Sequence, residues 1–284
     1  MFLLSAFLPY SGEIFRVDMD ARSLAMGTST VSLESGARAI LWNPAGVGRG
    51  EREMYLSMGL LYEGTGATFV GYRFPSRPYA LGGYMVLSGG IELTTLPDTT
   101  QPPSQDNPPY VYAVANYLAS AMYFSAAFGD HYGISLKLLY QGILDDRAFG
   151  IGADVGFMWK NIGIVIKDFL PTVLFWNSGE REIIPPFIIA SGHLEKGNLL
   201  LSIGVDMTTD SRYYDRLLTV GPYSIGLRGG VEYKYRMASF RAGYRNGRVS
   251  IGFGVRYRNY TVDMATFYAS DLGFNYRAGL LTSF

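Results

Sequence analysis

The sequence predicts an all-β fold, a transmembrane antiparallel β-barrel of about 14 strands with an N-terminal lumenal plug. Three observations lead to this prediction. Large apolar residues alternate with small or polar ones along many segments, and long connections occur only at alternate turns. Charged residues make up only 17% of the 284 residues, against roughly 25% in soluble domains. No run of about 18 apolar residues occurs, so a barrel is the remaining way to satisfy backbone hydrogen bonds within a membrane.

The C-terminal segment shows the alternation most clearly. Tyr276, Leu280 and Phe284 belong to one set of alternate residues, whereas Asn275 and Arg277 belong to the other. A period of two indicates a β-strand, because successive side chains point to opposite faces. The second set carries Gly, Asn and Arg, which is typical of a strand between lipid and a wet lumen. The same division recurs in the segments 131–143, 148–159, 225–236 and 248–257.

Turn signals divide the chain after residue 52 into an even number of strands, which predicts that both termini lie on one side of the membrane, the periplasmic side. The longest connections, 92–116, 170–184 and 208–224, all fall on alternate turns and therefore at one end of the barrel. Outer-membrane barrels have short periplasmic turns and longer outer loops, whereas a soluble all-β binding protein, the alternative, has no reason to follow this rule. The predicted strands are 53–63, 65–74, 79–91, 117–128, 131–143, 148–159, 161–169, 185–195, 198–207, 225–236, 238–246, 248–257, 259–267 and 273–284.

Aromatic residues gather at the strand ends opposite the long connections. An interfacial girdle explains this position, because such rings bury an apolar body and keep a polar edge wet. Ordinary strand propensity for aromatics is the alternative. Phe284 is interpreted as the outward-facing terminal aromatic that the barrel assembly machinery reads as an assembly signal. The other members of the predicted girdle are Phe74, Tyr79, Phe128, Tyr132, Trp159, Phe240, Tyr257 and Tyr260.

Composition argues against several classes of function. Lys and Arg number 24, as do Asp and Glu, so no basic field is available to attract nucleic acid. Cysteine is absent, which excludes disulfides, zinc-thiolate sites and cysteine nucleophiles. His131 and His193 do not stand in a metal-ligand spacing, and no Gly-x-Ser-x-Gly element occurs. We therefore predict no enzyme activity, no metal and no cofactor.

The chain is expected to divide into three parts. Residues 1–12 contain a nearly continuous apolar stretch and are interpreted as a signal-peptide remnant, with a short first-strand or plug segment as the alternative. Residues 13–52 are predicted to form the N-terminal plug, because the alternation breaks there and Pro44 forces Asn43 away from helical geometry. A short helix and tight turns are expected within this plug. Residues 53–284 are predicted to form the barrel.

Two elements of the non-strand segment carry a resemblance to known proteins. The pairing of Ala21-Arg22-Ser23-Leu24-Ala25-Met26-Gly27 with Ala39-Ile40-Leu41-Trp42-Asn43-Pro44-Ala45-Gly46 resembles the PorV/PorQ family of outer-membrane proteins. That family is similar in turn to FadL-type long-chain fatty-acid transporters, which share the Asn-Pro-Ala element. The stretches 240–245 and 271–284 also resemble the family, so the likeness spans most of the chain.

The resemblance implies an integral outer-membrane barrel that acts in envelope translocation. The first expectation is an accessory of type IX protein secretion or surface attachment, with secreted cargo proteins as partners. The alternatives are a FadL-like channel for uptake of hydrophobic small molecules and a structural surface barrel that is permanently plugged. Outer-membrane lipid and the barrel assembly machinery are expected partners in each case. The residues proposed to gate a ligand path, or only to anchor the plug, are Trp42, Asn43, Pro44, Ala45 and Gly46.

Charged residues on the predicted lumen face form a second group of site candidates. Both signs are present, so the first expectation is that they pair across the lumen and with plug groups such as Asp18, Asp20, Glu34 and Arg38. The alternative is a ring of charges that selects a substrate. The lumen charges are Lys137, Asp154, Asp206, Arg228, Glu232, Arg241, Arg245, Arg256, Asp263 and Arg277.

Overall fold

The computed structural model describes residues 13–62, 65–75, 77–209, 216–269 and 273–284. Within these ranges, helical turns precede 16 strands. The strands are β1 (Glu53–Tyr62), β2 (Thr65–Arg73), β3 (Tyr79–Thr95), β4 (Tyr110–Phe128), β5 (Tyr132–Ile143), β6 (Asp146–Trp159), β7 (Ile162–Trp176), β8 (Arg181–Ile184), β9 (Phe187–Lys196), β10 (Leu199–Thr208), β11 (Leu218–Val220), β12 (Tyr223–Tyr235), β13 (Ala238–Arg245), β14 (Arg248–Tyr257), β15 (Tyr260–Ala269) and β16 (Gly273–Ser283).

Of these 16 strands, β8 and β11 are short extensions of the sheet, and the other 14 close into one antiparallel barrel. Successive barrel strands hydrogen-bond to each other, with β7 pairing to β9 and β10 to β12. The barrel closes where β1 pairs with β16, in the register that sets Met58 opposite Ala278. The predicted antiparallel barrel and its strand number are therefore confirmed.

The outward face of the barrel is apolar, as the alternation predicts. In β14, Val249, Ile251 and Val255 are exposed, whereas Ser250 and Gly254 between them are buried. The same strand begins after the Asn246-Gly247 turn, where both residues have positive φ (47° and 91°), as a type I′ hairpin requires. Such an outward band of apolar side chains suits a lipid environment. Exposed members of the predicted girdle are Tyr79, Phe128, Tyr132, Trp159, Phe240, Tyr257, Tyr260 and Phe284, and Phe74 is half-buried.

Two predicted loops are partly strand, so their sequence-based bounds are wrong. The connection predicted at 92–116 is shorter, 96–109, because β3 and β4 extend into the predicted loop and pair with each other up to Thr95 and Tyr110. The connection predicted at 170–184 is mostly the hairpin of β7 and β8. The proline at 171 suggested a loop, but β7 bulges just before it, at Asp168 with φ of 55°. A bulge tolerates a residue that lacks an N–H donor. In the third long connection, residues 210–215 lie outside the described residues.

The two ends of the barrel differ. We call the end that carries the 96–109 connection and the β7–β8 hairpin the long-loop end. The opposite end, where tight turns join β4 to β5, β12 to β13 and β14 to β15, is the short-turn end. Lys160, Arg236 and Arg258 occupy tight turns there with positive φ.

The N-terminal segment contains α1 (Ala21–Ala25), α2 (Ala39–Trp42) and 3₁₀ turns at Glu13–Arg16 and Pro44–Arg49. Asp20 caps α1 by accepting a hydrogen bond from the Arg22 N–H at 3.0 Å. Asn43 adopts φ −152° and ψ 108°, the extended geometry expected before proline. The proposed signal-peptide remnant, residues 1–12, lies outside the described residues. No helix in the described ranges has the length and apolar character needed to cross a membrane.

Candidate functional site

The N-terminal segment lies against the inward face of the barrel wall at very short range. A Cβ on Gly243 of β13 would lie 2.0 Å from the backbone nitrogen of Gly27, and one on Gly133 of β5 would lie 2.2 Å from the Pro44 carbonyl carbon. Only glycine fits where two backbones approach this closely. The strands β5 and β13 lie on well-separated parts of the ring, so the segment touches the wall on different sides of the interior.

Asn43 joins the segment to two neighbouring strands. Its Nδ2 lies 3.1 Å from the carbonyl oxygen of Phe157 in β6 and 3.3 Å from that of Ile164 in β7. The same nitrogen lies 3.2 Å from the Val31 carbonyl, and the side-chain oxygen accepts a hydrogen bond from the Ala45 N–H at 3.1 Å. The side chain is fully buried. It therefore satisfies backbone groups that the turn at Pro44 would otherwise leave unpaired.

The other residues of the Trp-Asn-Pro-Ala-Gly element support this anchor. Trp42 is buried against Val31 and Phe187, and the Lys167 ammonium lies 5.0 Å from its ring centroid. The Trp42 Nε1 atom is buried without a hydrogen-bond partner in the described part of the chain. Gly46 lies so close to the Glu34 carbonyl that a Cβ would come within 2.2 Å of its oxygen. The five residues of the element thus lie together, in contact with the wall, while a gating role remains a prediction.

A chain of buried ions links the segment to β12, β13 and β15. Arg38 contacts Asp263 at 2.5 Å, and Asp263 also accepts from Arg241 at 2.8 Å. Arg241 continues to Glu232, which accepts in turn from Arg22 at 3.1 Å. Each of these carboxylates therefore bridges one arginine of the wall and one of the segment. Shared, hydrogen-bonded partners of this kind offset the desolvation of buried charges.

The segment and the wall meet through further arginines. Arg228 of β12 binds Asp206 of β10 and donates to the carbonyl and hydroxyl oxygens of Thr28, at 3.1 and 2.7 Å. Arg245 donates to the Asp18 carboxylate at 2.6 Å, and Arg277 donates to the Asp18 carbonyl at 2.8 Å. These contacts put the cations of the wall at anionic or carbonyl oxygens of residues 18–28.

A separate ion cluster lies at the bulge of β7. The Lys137 ammonium sits 2.7 Å from Asp154 and 2.5 Å from Asp168, and Arg16 lies 3.5 Å from Asp168. The Asp168 N–H donates to Asp154 at 2.8 Å. Sequence reasoning named Lys137 and Asp154 but missed Asp168. A signal was present, because a Lys-Asp pair followed closely by proline breaks the alternation of β7, as a bulge does.

Glu34 is a titratable group of the N-terminal segment, lying close to a cation. Its carboxylate lies 3.5 Å from Arg22 and is almost completely buried. Burial, reinforced by the charge of Asp20, raises the pKa of Glu34 to about 7, although Arg22 and Arg38 act in the opposite direction. This carboxyl group therefore titrates near neutral pH.

Arg256 is placed differently from the other lumen charges. It lies on the inward face of β14 but is exposed, at the short-turn end. There it lines a cavity of about 440 Å³ together with Arg22, Glu34 and Thr261. The histidines serve structural contacts: His131 Nδ1 lies 3.0 Å from the Met158 carbonyl, and His193 Nδ1 lies 3.0 Å from the Ser32 hydroxyl. Among the described residues, no cluster of His, Asp and Glu is arranged to hold a metal ion.

The interior is not polar all round, which differs from the wet lumen that the last strand indicates. Toward the long-loop end, the inward faces of β1–β8 are lined by apolar side chains that pack into one cluster with Ile14, Phe15 and Val17. We call this part of the wall the apolar sector and the ion-bearing face of β12–β16 the charged sector. Sequence reading missed the apolar sector because its small residues alternate with larger ones just as polar residues do. The apolar sector comprises Leu61, Ala67, Val86, Ala119, Leu139, Ala148, Leu174 and Ile184.

Phe284 lies at the short-turn end, 62% exposed, with the Arg52 guanidinium 5.1 Å from its ring centroid. Its backbone N–H donates to the Arg52 carbonyl at 3.0 Å. The terminal residue is thus held beside the start of β1 and points outward. Its reading by assembly machinery remains a prediction.

Comparison with solved structures finds the same barrel fold in several proteins. The P. putida toluene transporter TodX superposes with a TM-score of 0.63 at 11% identity, over 92% of this chain and 97% of that chain. The CymD monoaromatic hydrocarbon channel gives 0.63 at 15% identity, over 94% and 98%. A Pseudomonas aeruginosa FadL homologue gives 0.56 at 12% identity, over 94% and 96%.

Comparison by sequence adds no relative: no protein-family model matches the chain, and no curated protein matches it. At these identities the structural likeness shows the fold. The similar proteins include transporters and channels. The shared barrel fold agrees with the predicted location in the outer membrane. The PorV/PorQ expectation finds no support in these comparisons.

Proposed function

We propose that this barrel carries hydrophobic small molecules across the outer membrane. The apolar sector is the observation that carries the proposal. A channel for water-soluble solutes has a polar interior, whereas here the wall toward the long-loop end presents Val86, Leu139 and Leu174 inward. The toluene transporter and the monoaromatic hydrocarbon channel described above share the fold, which supports the same reading.

The solute path is proposed to run between the apolar sector and the N-terminal segment. Apolar surface releases about 25 cal/mol per Å² when it leaves water, so a hydrophobic solute gains free energy by entering between apolar walls. On this side, the side chains of Ile14 and Phe15 make apolar contacts that exchange readily for contacts with a solute. Directional contacts also occur there, because Tyr84 donates to the Ile14 carbonyl and Arg16 pairs with Asp168. The charged sector instead holds residues 18–38 by ion pairs. In this proposal the segment acts as a plug that is fixed on one side and displaceable on the other, with Trp42 and Asn43 at the boundary.

Uptake by whole cells tests the proposal. The host is a bacterium that lacks its own outer-membrane transporter for hydrophobic solutes, and radiolabelled toluene and oleate are supplied below their solubility limits. The wild-type barrel is expected to raise uptake of at least one of them. Leu139→Asn, which puts an amide into the apolar sector, is expected to lower uptake about tenfold, since an unpaired amide costs about 1–3 kcal/mol there.

Ser250→Asn is the matched control, because it adds the same amide to the inward face of β14 in the charged sector. It is expected to retain uptake at equal outer-membrane levels. Uptake no higher than in cells without the barrel would contradict the proposal. Equal losses from both substitutions would contradict the path. Secretion and a purely structural barrel both predict that neither solute enters faster.

The proposed topology puts both termini in the periplasm, with the short turns, and makes Phe284 the assembly signal. A protease-cleavable tag after Phe284 is expected to resist protease in intact cells and to be cut after the outer membrane is permeabilised. Deletion of Phe284 is expected to lower the heat-modifiable, membrane-inserted fraction at unchanged transcript level. An unchanged inserted fraction would favour a frayed terminus without a signal function.

A further inference from the structure

The outward surface of the barrel contains a large concavity. It has a volume of about 880 Å³ and crosses the strands β13–β16 and β1–β3 near their middles. Its side chains are the outward-facing members of those strands, such as Met58, Leu60 and Ile251, which are 58–63% exposed. We call this feature the outer groove. It therefore belongs to the face that meets lipid and not to the interior.

Two rows of paired residues form the floor and walls of the outer groove. In one row, Met264 stands beside Phe253 on one side and Ala278 on the other. In the next row, Leu60 stands opposite both Tyr276 and Gly66. In the first row the small Ala278 stands between the larger Met58 and Met264. In the second row the small Gly66 and Thr266 flank Leu60 and Tyr276. The complete rows are Met85–Thr68–Met58–Ala278–Met264–Phe253–Phe240 and Leu87–Gly66–Leu60–Tyr276–Thr266–Ile251.

On the inward side, the same strands pack closely against the N-terminal segment. A Cβ on Gly252 would lie 2.4 Å from the Cβ of Ala25 in α1, so helix and wall are in close contact. The buried Ala265 of β15 packs against Ala21 and Leu24 of the same helix. Arg277 of β16 donates to the Asp18 carbonyl at 2.8 Å just before that helix. The outer groove is the external counterpart of this close internal packing.

The chemistry of the outer groove fits a hydrocarbon chain. Its outward lining is almost entirely apolar, and three of its side chains are methionines, Met58, Met85 and Met264. Methionine adapts its shape to flexible apolar partners. Cations stand where the same strands end: Arg258 and Arg236 are exposed in the short turns and stack on the outward rings of Tyr257 and Tyr235, 5.4 Å from each centroid. Such cations suit a lipid phosphate at the membrane interface.

We propose that the outer groove is a binding site for one phospholipid, with an acyl chain in the groove and the phosphate near Arg258. Phe253 lies four residues from the end of β14 at Tyr257, which is about 13 Å along the strand and within reach of an acyl chain whose headgroup lies at the turn. A second barrel does not fill this site, because the outside of a barrel is convex and a groove needs a narrow, protruding partner. A lipid whose multiply phosphorylated headgroup lies at the long-loop end is disfavoured as the occupant, because the outward residues between the groove and that end carry no charge. They are Tyr244, Val249, Tyr268 and Phe274.

Tryptophan quenching by lipid with brominated acyl chains tests the proposal in the full-length barrel in vesicles. Trp159→Phe first removes an exposed native indole. Phe253→Trp then reports from the groove. Phe124→Trp is the matched control, because Phe124 is 45% exposed against 42% for Phe253 and also lies four residues from the short-turn end of its strand, outside the groove. Vesicles contain brominated phosphatidylglycerol at increasing mole fraction in unbrominated phosphatidylcholine.

The groove indole is expected to reach half-maximal quenching at a mole fraction about threefold or more below that of the control indole, a difference of about 0.65 kcal/mol in lipid affinity. Ala278→Phe, which fills the floor of the groove, is expected to remove that difference. Superimposable curves for the two indoles would overturn the proposal whether or not the filled variant assembles. Quenching by brominated free fatty acid but not by brominated phospholipid would also overturn it.

A second copy of the chain as the occupant is tested separately. The chain lacks cysteine, so Met264→Cys provides a single thiol in the groove. Failure of this variant to form a disulfide-linked dimer under oxidation, in the same vesicles, supports lipid as the occupant. Efficient dimer formation would assign the groove to an interface between copies and would overturn the proposal.

Discussion

The charged and apolar sectors hold the same N-terminal segment in different ways. In the charged sector, Asp263 of the wall accepts hydrogen bonds from Arg38 of the segment and from Arg241 of the wall, in nearly complete burial. In the apolar sector, Leu139 and Leu174 form only non-directional contacts. Ion pairs fix a position, because their strength depends on geometry, whereas apolar contacts tolerate exchange. The charged sector thus anchors the segment through ion pairs, whereas beside the apolar sector the segment combines apolar packing with the Arg16–Asp168 pair.

The largest effect is expected where a charge of the anchor is removed. Asp263→Ala leaves Arg38 and Arg241 buried without their shared carboxylate, which is expected to lower stability by about 3–5 kcal/mol. The measurement is the denaturant midpoint of the reconstituted barrel. The control is Glu195→Ala, which breaks the exposed pair with Lys234 at 2.8 Å and is expected to change stability by less than about 1 kcal/mol. Equal effects of the two variants would mean that the charged sector does not anchor the segment.

A cavity in the apolar sector is expected to have a somewhat smaller effect on stability. Leu174→Ala removes a fully buried side chain, at a cost of about 2–4 kcal/mol. Uptake of a hydrophobic solute is nevertheless expected to persist, because the added space remains apolar. Asp263→Ala is measured beside it at matched membrane levels, so that loss of a charge in the charged sector is compared with loss of bulk in the apolar sector. Loss of uptake in Leu174→Ala at full membrane level would remove the distinction between the two sectors.

The next effect concerns the boundary between the sectors. Asn43→Ala removes the side-chain partner of the buried Val31 carbonyl and of the buried Ala45 N–H, and unsatisfied buried groups cost about 1–3 kcal/mol. We expect faster proteolysis near residue 43 together with a lower denaturant midpoint. Asn198→Ala, at the exposed β9–β10 turn, is the control for loss of an asparagine. A protease-resistant segment in the Asn43 variant would show that the ion pairs hold it without Asn43.

The smallest effect is a dependence on pH. The folded-state pKa of Glu34, about 7, lies above the ordinary value of 4.5. Its contribution to stability is therefore fully present below pH 4.5 and is lost as pH rises through 7. Relative to wild type, Glu34→Gln is expected to gain midpoint temperature between these pH values, because the variant cannot ionise. Glu51→Gln, at an exposed position, controls for the loss of one carboxylate. A constant difference between wild type and Glu34→Gln across this range would contradict the assignment.

A lipid-facing arginine needs a lumen-facing control, and the packing around Gly254 rules that residue out. Gly254 on the lumen face suggests itself as a site for a harmless substitution, but a Cβ there would lie 2.3 Å from Asp263 Oδ1 and 2.7 Å from Arg241 Nη1. On the lipid-facing side, Val255→Arg is expected to lower stability by about 2–4 kcal/mol near the membrane midplane. Thr261→Arg is a better lumen-side control for it. Thr261 lines the 440 Å³ cavity at the short-turn end, where an added cation remains in water.

The sequence by itself determined the barrel, its strand number and the direction in which most side chains point. These follow from a period of two and from alternate turns, which are local properties of the chain, so β14 has the predicted bounds to the residue. The segments 92–116 and 170–184 were less predictable, because Pro171 indicates a loop locally and only the pairing of β7 with β6 and β8 accommodates it.

Only the tertiary structure decided which charges meet, where the interior is apolar and where the outside is concave. Asp263 and Arg38 are separated by 225 positions, and no local pattern relates them. The apolar sector and the outer groove combine residues of seven or more strands, each of which alternates in the ordinary way. Their character arises because neighbouring strands present similar side chains at the same height, a consequence of register. Register and ring closure are long-range properties, which a local reading of the chain does not contain.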